Sequence, residues 1–260
     1  MKIRLILLLC VSLFLLLPLA LFQYILRHSH TKTAFIIPKN FHRLILKTMR
    51  IKVSIRGNIP DHGPIIFVAN HWSWLDISVL GAVLDGHFVA KSEIAGWPVF
   101  GFLAKLQNTI FVSRNDRTKV GQQAGEITKR LSQKRNIILF AEGTSNDGNR
   151  VLGFKSSLFS VAKPFDDIKP LIQPVTIYYQ NHYGMPLGRK KRPFLAWYGD
   201  MDLVPHVLNI FNMGPIEVVI ALDNPVSYDD FASRKTLSEY VENRVRLQYN
   251  DCNSVQSIYQ

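Results

Sequence analysis

The sequence predicts an α/β fold: a mixed, largely parallel central sheet flanked by helices, preceded by an N-terminal membrane helix and an amphipathic helix. Short apolar runs alternate with helical stretches along most of the chain, as in sheets that are covered by helices. A long apolar stretch begins the chain, and a helical pattern with separate apolar and basic faces follows it. We expect a membrane anchor and interfacial helix at residues 1–50, the main domain at 51–248 and a polar tail at 249–260.

The apolar stretch Leu5–Leu26 is predicted to be a retained membrane anchor. Its length as a helix is about 33 Å, close to the ~30 Å of a bilayer's hydrocarbon core. A cleaved signal peptide is the alternative, but its apolar region usually spans only about 7–15 residues. Basic residues are more frequent after the stretch than before it. This asymmetry predicts that the main domain lies in the cytoplasm.

Positive charge is concentrated in the first 60 residues. The chain has a formal net charge of +12, yet these residues hold ten Lys or Arg and no Asp or Glu, so the remainder is nearly neutral. A nucleic-acid-binding domain would carry the basic residues on its folded face. The observed distribution favours contact with anionic lipid and no nucleic-acid partner.

Apolar residues recur at helical spacing between Phe41 and Met49, and basic residues lie on another face of that helix. This pattern is typical of an interfacial helix on an anionic bilayer. A helix packed on the core of the main domain would show the same pattern, and the two interpretations are equally open.

The remaining elements follow from hydrophobic patterning. Ile51–Arg56 alternates apolar and charged residues, which indicates a half-buried strand, whereas short continuous apolar runs indicate buried strands. Further strands are predicted at residues 65–69, 87–90, 108–114, 137–140, 171–177, 194–198 and 217–222. Helices are predicted at residues 77–84, 118–132, 156–162 and 231–247.

The most informative stretch joins the strand at 65–69 to the helix that follows it. His71 lies where the strand ends, and Asp76 lies in the first turns of the helix. If the turn brings Asp76 beneath His71, the carboxylate orients the imidazole and leaves its second nitrogen free to take a proton. The alternative is a helix-capping box formed by Ser73 and Asp76, with His71 as an ordinary loop residue.

Two further groups of polar residues follow predicted strands. Arg114 ends one strand and can anchor a phosphate or carboxylate, although a surface salt bridge is the more ordinary use of such a residue taken alone. Glu142, Gly143 and Thr144 follow another strand and offer a carboxylate, a flexible turn and a hydroxyl, or simply form a turn. Ligands of open α/β sheets bind beyond the carboxyl ends of the strands, so these residues are candidates to line one cleft with His71.

Taken in order, these stretches resemble the glycerolipid acyltransferase family, whose best-known members acylate lysophosphatidic acid. The family's first motif, N-H-x4-D, is matched at residues 70–76. Its second, G-x-x-F-x-x-R, is matched at residues 108–114 except for the glycine. Its third, P-E-G-T-R, is matched at Glu142, Gly143 and Thr144, and its fourth, a proline in a hydrophobic strand, at Pro174. The resemblance covers roughly residues 50 to 220.

The resemblance implies transfer of a fatty acyl group from an acyl thioester, acyl-CoA or acyl carrier protein, to the hydroxyl of a lysolipid such as 1-acylglycerol-3-phosphate, in phospholipid biosynthesis. It implies His71 and Asp76 as catalytic residues, with substrate binding by Arg114, Glu142, Gly143 and Thr144. It also implies a bacterial inner-membrane enzyme with one N-terminal anchor.

Departures from the motifs concern the acceptor. Ser145 stands where many members have arginine, which removes one cation and favours a different lysolipid head group. Arg150 or Lys155 is an alternative source of that charge. The run from Glu142 to Leu152, together with the later stretch Ala196–Asp200, resembles a bacterial branch that includes lyso-ornithine lipid acyltransferases, which makes lyso-ornithine lipid the alternative acceptor.

Other functions remain as alternatives at this level. A lipid hydrolase would use His71 to activate water, and a membrane-anchored lipid-binding protein would have no catalytic role for it. No G-x-S-x-G elbow, H-E-x-x-H, C-x-x-C or lysine-containing phosphate loop is present. We therefore expect direct transfer without an acyl-enzyme and without a metal or cofactor. The basic cluster Arg189–Arg192 is interpreted as a solvated loop, or else as a second contact for anionic lipid or a carrier protein.

Overall fold

A computed structural model of the chain describes residues 20–26, 32–61, 63–113 and 120–257. Within these residues nine strands form one sheet: β1 (Ile51–Arg56), β2 (Ile65–Ala69), β3 (His87–Lys91), β4 (Ile110–Val112), β5 (Ile137–Phe140), β6 (Leu171–His182), β7 (Met185–Pro186), β8 (Ile216–Leu222) and β9 (Val226–Ser227). The α-helices are α1 (20–26), α2 (Ile36–Thr48), α3 (Leu75–Gly81), α4 (Phe100–Leu106), α5 (Val120–Ser132), α6 (Arg192–Leu195), α7 (Leu203–Met213) and α8 (Arg234–Ser257).

The predicted mixed, largely parallel sheet is confirmed. Its main path runs β1-β8-β6-β2-β5-β3-β4, and every neighbouring pair on this path is parallel except β6 with β8. The short strands β7 and β9 pair antiparallel with β6. Because β2 and β5 lie inside the sheet, with helices packed on it, their sequences are continuous apolar runs and do not alternate. The edge strand β1 instead exposes Lys52 and Arg56, which discourages pairing with another chain.

Helix α2 packs against α3, as the second interpretation of this segment predicts. His42, Leu46 and Met49 are buried, and Lys39 forms a salt bridge of 2.9 Å with Asp85. Leu44 remains half exposed on the outer side of the helix. The apolar face of α2 is therefore largely packed against the rest of the protein.

The predicted strand at residues 194–198 is wrong. Its first residues belong to the short helix α6, in which Pro193 takes an early position where its missing N–H is harmless. The helix α7 that follows was not predicted, although its apolar residues recur at helical spacing. Its 11 residues also exceed the usual length of a strand, but its polar positions hold histidine and asparagine and no charged residue, so the polar face was overlooked.

The predicted polar tail at 249–260 is also corrected. Helix α8 continues to Ser257, and Tyr249 and Cys252 are buried. These two residues extend the spacing of Val241 and Val245 along one face, which packs on β6 and on the 3-10 turn Ser156–Ala162. The polar composition of the other face concealed this stripe.

The predicted membrane helix Leu5–Leu26 lies mainly outside the described residues. Its last part, residues 20–26, is helical, and the Gln23 side chain donates hydrogen bonds to the carbonyls of Ala34 and Leu106. None of the helices in the described ranges combines the length and apolarity needed to cross a bilayer.

Candidate active site

The candidate site lies at the carboxyl ends of β2 and β5, which are parallel neighbours. The register pairs Ala69 with Phe140 as the last residues of the two strands. His71 therefore follows β2 and Glu142 follows β5 at the same edge of the sheet. The imidazole of His71 stacks on the ring of Phe140, with centroids 4.0 Å apart and an interplanar angle of 16°.

The turn between β2 and α3 brings His71 onto Asp76. The imidazole Nδ1 lies 2.8 Å from Asp76 Oδ2, and the same oxygen accepts the backbone N–H groups of Trp72 at 2.6 Å and Ser73 at 3.0 Å. The Asp76 side chain is 0% exposed, whereas that of His71 is 18% exposed. One carboxylate thus orients the imidazole and accepts the hydrogen bonds of the backbone N–H groups in the turn that precedes the helix. Because Asp76 engages Nδ1, Nε2 is the nitrogen that can take a proton.

Asp76 has a second partner that sequence reasoning missed. The Tyr179 hydroxyl, from the middle of β6, donates to Asp76 Oδ1 at 2.7 Å. Burial, followed by the charge of Asp76 and this hydrogen bond, raises the pKa of Tyr179 well above its ordinary value. The phenol therefore remains a donor at physiological pH and holds Oδ1, the carboxylate oxygen that does not contact His71. Tyr179 is 103 positions from Asp76, so no local pattern could have found it.

Asn70 extends the pairing of β2 and β6 beyond the last paired residues of these strands. Its side chain donates to the Ile177 carbonyl at 3.0 Å and accepts the Ile177 N–H at 2.8 Å. These two bonds replace a rung of the parallel ladder and fix the point at which the chain leaves the sheet. His71 therefore starts from a rigid backbone.

The Glu142 carboxylate is directed at the backbone of His71. Its Oε1 accepts the His71 N–H at 3.1 Å, and its Oε2 accepts from Asn146 Nδ2 at 2.6 Å. Asn146 in turn donates to the His71 carbonyl through its side chain and its backbone N–H. Burial outweighs these donors and raises the pKa of Glu142 to about 7. The loop after β5 thus holds His71 by its main chain; sequence reasoning also missed the role of Asn146.

Gly143 and Thr144 shape the outer part of this loop. Gly143 has a φ of +71°, a left-handed conformation that turns the chain, and its N–H bonds to the Phe140 carbonyl at 3.1 Å. Thr144 is exposed at the rim. Arg114, the fourth predicted substrate-binding position, lies outside the described residues. Arg150 and Lys155, the two candidates to supply the cation that Ser145 lacks, are both exposed.

The basic cluster at 189–192 is divided by the structure. Arg189, Lys190 and Lys191 are exposed, as predicted for a solvated loop, but Arg192 is only 1% exposed. Its guanidinium donates to the Tyr178 hydroxyl at 2.7 Å and lies 6.0 Å from the Trp72 ring. A basic residue within a run of basic residues is normally exposed to solvent. The sequence pattern therefore could not show that Arg192 is buried while its neighbours are exposed.

Comparisons with known proteins agree with this site. The family model described as Acyltransferase matches residues 50–178. The lyso-ornithine lipid O-acyltransferase of Rhizobium meliloti is 40% identical over 219 residues, which cover 83% of this chain and 75% of the relative. The chain belongs to the acyltransferase family.

Other relatives agree with this assignment. The lyso-ornithine lipid O-acyltransferase of Brucella abortus is 40% identical and covers 86% of each chain. The 1-acyl-sn-glycerol-3-phosphate acyltransferase of Neisseria meningitidis is 28% identical and covers 76% of each. The crystal structure of the LPA acyltransferase PlsC from Thermotoga maritima has the same fold, with a TM-score of 0.67, 24% identity and 97% coverage of both chains. The chain is therefore an acyltransferase of lipid biosynthesis, which removes the non-enzymatic alternative.

The raised pKa of Glu142 predicts that this acyltransferase loses stability as pH rises. The folded pKa of about 7 exceeds the ordinary 4.5, so the contribution is fully present below pH 4.5 and is lost as pH rises through about 7. This difference in pKa corresponds to a contribution on the order of 3 kcal/mol to the free energy of unfolding. Between about pH 5 and pH 8, we expect the free energy of unfolding of the wild type to fall by that order relative to Glu142→Gln, as measured by urea denaturation.

Glu126→Gln is the matched control for this measurement. Glu126 is more exposed and pairs with Arg130 at 2.9 Å on the surface of α5. Its replacement should leave the pH dependence of unfolding unchanged. Parallel stability curves for the wild type and Glu142→Gln would contradict the raised pKa.

Proposed function

We propose that the chain transfers a fatty acyl group from an acyl thioester to the hydroxyl of a lysolipid, with lyso-ornithine lipid as the favoured acceptor. The observation that carries this proposal is the 2.8 Å contact between His71 Nδ1 and the buried Asp76 carboxylate, in a family whose members transfer acyl groups. It combines an imidazole that solvent can reach with a buried carboxylate that orients it.

The proposed reaction has one proton relay. His71 Nε2 removes the proton of the acceptor hydroxyl while the hydroxyl oxygen attacks the thioester carbonyl. The carbon–sulfur bond breaks as the tetrahedral intermediate collapses, and the thiol leaves with the proton that His71 carried. Asp76 stabilises the imidazolium between these steps, and Glu142 and Asn146 hold the main chain of His71 in place. The products are the diacylated lipid and the free thiol.

The acceptor is inferred from two observations. Four lyso-ornithine lipid relatives are 32–40% identical to this chain, against 28% for the 1-acyl-sn-glycerol-3-phosphate acyltransferases from Neisseria. Ser145 also stands at a position where many lysophosphatidic acid enzymes have a cation for the phosphate. A head group that carries an ammonium as well as a carboxylate needs one cation fewer than a phosphate monoester does.

We further propose that the protein works at the cytoplasmic face of a bacterial inner membrane, because its substrate and product are membrane lipids.

Gly143 and Thr144 form the rim of the acceptor site, and Arg114 binds the anionic part of the acceptor. The acyl group is carried as a thioester by coenzyme A or by acyl carrier protein.

The test is acyl transfer by the purified full-length chain. Labelled acyl-CoA and acyl carrier protein are offered in turn with lyso-ornithine lipid, lysophosphatidic acid or no acceptor. We expect a diacylated product with lyso-ornithine lipid and a much smaller amount with lysophosphatidic acid. Free fatty acid formed without an acceptor would indicate a hydrolase and contradict the proposal.

Arg114→Ala should chiefly raise the KM for the acceptor, and a shift confined to the thioester KM would assign Arg114 to the donor.

A further inference from the structure

Helix α7 has an unusual composition for a helix on the surface. Its sequence, LVPHVLNIFNM, contains no Lys, Arg, Asp or Glu, and Ile210 is its only buried residue within the described structure. Val204 is 64% exposed and Leu208 is 44% exposed, one helical turn apart. An apolar helix face that meets water is unfavourable unless another apolar phase covers it.

This exposed face lies beside the candidate active site. The Trp74 indole, from the turn that carries His71, donates to His206 Nδ1 on α7 at 3.0 Å. The backbone N–H of Trp197 donates to the Trp72 carbonyl at 3.0 Å. The segment from Trp197 to α7 is thus attached to both sides of Ser73, within three residues of His71. Whatever covers α7 also lies close to the site.

Exposed apolar residues continue from α7 onto α4. The rings of Trp97 and Trp197 meet edge to face with centroids 6.1 Å apart. Val99 and Phe102, which begin and line α4, are more than half exposed. On the far side of α4, the Leu106 carbonyl accepts the hydrogen bond from Gln23 of α1. Residues on both sides of Gln23 are apolar and exposed, so the apolar surface extends to the N-terminal helix.

The charges around this surface favour an anionic partner. Phe194 is 68% exposed and closely follows the exposed cations Arg189, Lys190 and Lys191. Lys105 is the one charged residue between Trp97 and Asn108, and it is also exposed. Two exposed acids, Asp200 and Asp202, lie before α7, which leaves an excess of two positive charges around the surface. Apolar side chains with cations beside them are the pattern of a protein surface inserted into an anionic leaflet.

We propose that the α4–α7 surface (Trp97, Val99, Phe102, Phe194, Val204 and Leu208) docks on an anionic lipid bilayer and places the His71 cleft at the membrane. This inference rests on the proposed function for its choice of occupant, because a lysolipid acceptor and a diacylated product both reside in a bilayer. Arg189, Lys190 and Lys191 contact the lipid head groups. The acceptor then reaches His71 by moving laterally from the leaflet and does not pass through water.

The first test is vesicle flotation of the full-length chain, in the absence of acyl donor and acceptor and with Leu9→Gln, Leu13→Gln and Leu16→Gln in every variant, so that the predicted anchor Leu5–Leu26 does not hold the protein on the vesicle. Leu208→Glu should lower partitioning onto vesicles of phosphatidylcholine and phosphatidylglycerol by at least about tenfold. Leu247→Glu is the matched control, since Leu247 is a comparably exposed leucine on α8, and it should bind as the wild type does. Neutralising Lys190 or Lys191 with alanine should cost about fivefold each, and only on vesicles that contain the anionic lipid.

The second test reports on orientation and does not depend on affinity. A bimane label is attached at Leu208→Cys or at Leu247→Cys in a Cys10→Ser background, in which the remaining Cys252 is buried. On bound protein, the label at position 208 should become protected from iodide quenching while the label at 247 stays accessible. Equal accessibility of the two labels on bound protein would overturn the proposal. Neither test involves catalysis, so both remain decisive if the transfer assay finds no acceptor.

Discussion

Replacing His71 by alanine is expected to lower kcat about 10²–10⁴-fold, the range that general-base help usually contributes. The imidazole is the group that the site presents to solvent, while Asp76 beneath it is sealed off. Without Nε2, the acceptor hydroxyl would have to attack the thioester while still carrying its proton. The measurement is the steady-state rate of diacylated lipid formation at saturating acceptor and thioester.

The fold should survive this substitution. The main chain at position 71 keeps its bonds to Glu142 and Asn146, because those bonds do not use the imidazole. Thermal unfolding and vesicle binding of His71→Ala are therefore expected to match the wild type closely. His182→Ala is the control, since this histidine is the last residue of β6 and its ring bonds to the Met213 carbonyl and not to Asp76, so the variant should retain full activity. A His71→Ala protein that turns over at the wild-type rate would rule out the general-base role.

The sequence was most informative where local pattern and structure share one cause. A strand buried on both faces must be apolar throughout, so β2 and β5 could be predicted from their composition. Because they are parallel, the residues that follow them had to meet at one edge of the sheet. The proximity of His71 and Glu142 was therefore predictable from the amino-acid sequence alone.

Sequence reasoning failed where a residue's environment is set by distant parts of the chain. Tyr179 reaches Asp76 only because β6 lies beside β2, and nothing near Tyr179 indicates this. Arg192 is enclosed by Tyr178, by Asn253 of α8 and by the Trp72 ring, although it ends a run of exposed cations. The direction of Glu142 was also not predictable, since a carboxylate after a strand can bind a substrate or a backbone N–H equally well.

Replacing Asp76 is expected to produce two effects that different substitutions can separate. In Asp76→Ala, the buried N–H groups of Trp72 and Ser73 and the Tyr179 hydroxyl all lose their acceptor. Each unsatisfied buried group costs about 1–3 kcal/mol, so the free energy of unfolding should fall by several kcal/mol. Activity should be lost as well, but that loss alone would not show what the carboxylate does in catalysis.

Asp76→Asn isolates the catalytic contribution. An asparagine can turn its oxygen towards His71, Trp72 and Ser73 while its amide donates to the Tyr179 hydroxyl, which can also accept. The bonds to the oxygen that faces His71 are then preserved and only the Tyr179 O–H proton loses its acceptor, so urea denaturation should show a loss of about 1–3 kcal/mol in the free energy of unfolding, smaller than that of Asp76→Ala. A neutral amide cannot stabilise the imidazolium that forms during transfer, and kcat should still fall roughly 10²-fold or more.

Tyr179→Phe completes the comparison, because it removes only the donor to Asp76 Oδ1 and leaves the charge next to His71. We expect a smaller loss of kcat than in Asp76→Asn, together with a modest loss of stability. If Asp76→Asn were as active as the wild type, the carboxylate would serve the turn alone and its charge would have no part in the reaction. If Asp76→Asn were instead as unstable as Asp76→Ala, its low activity would report on folding. Stable but inactive Asp76→Asn is the outcome that assigns the negative charge to catalysis.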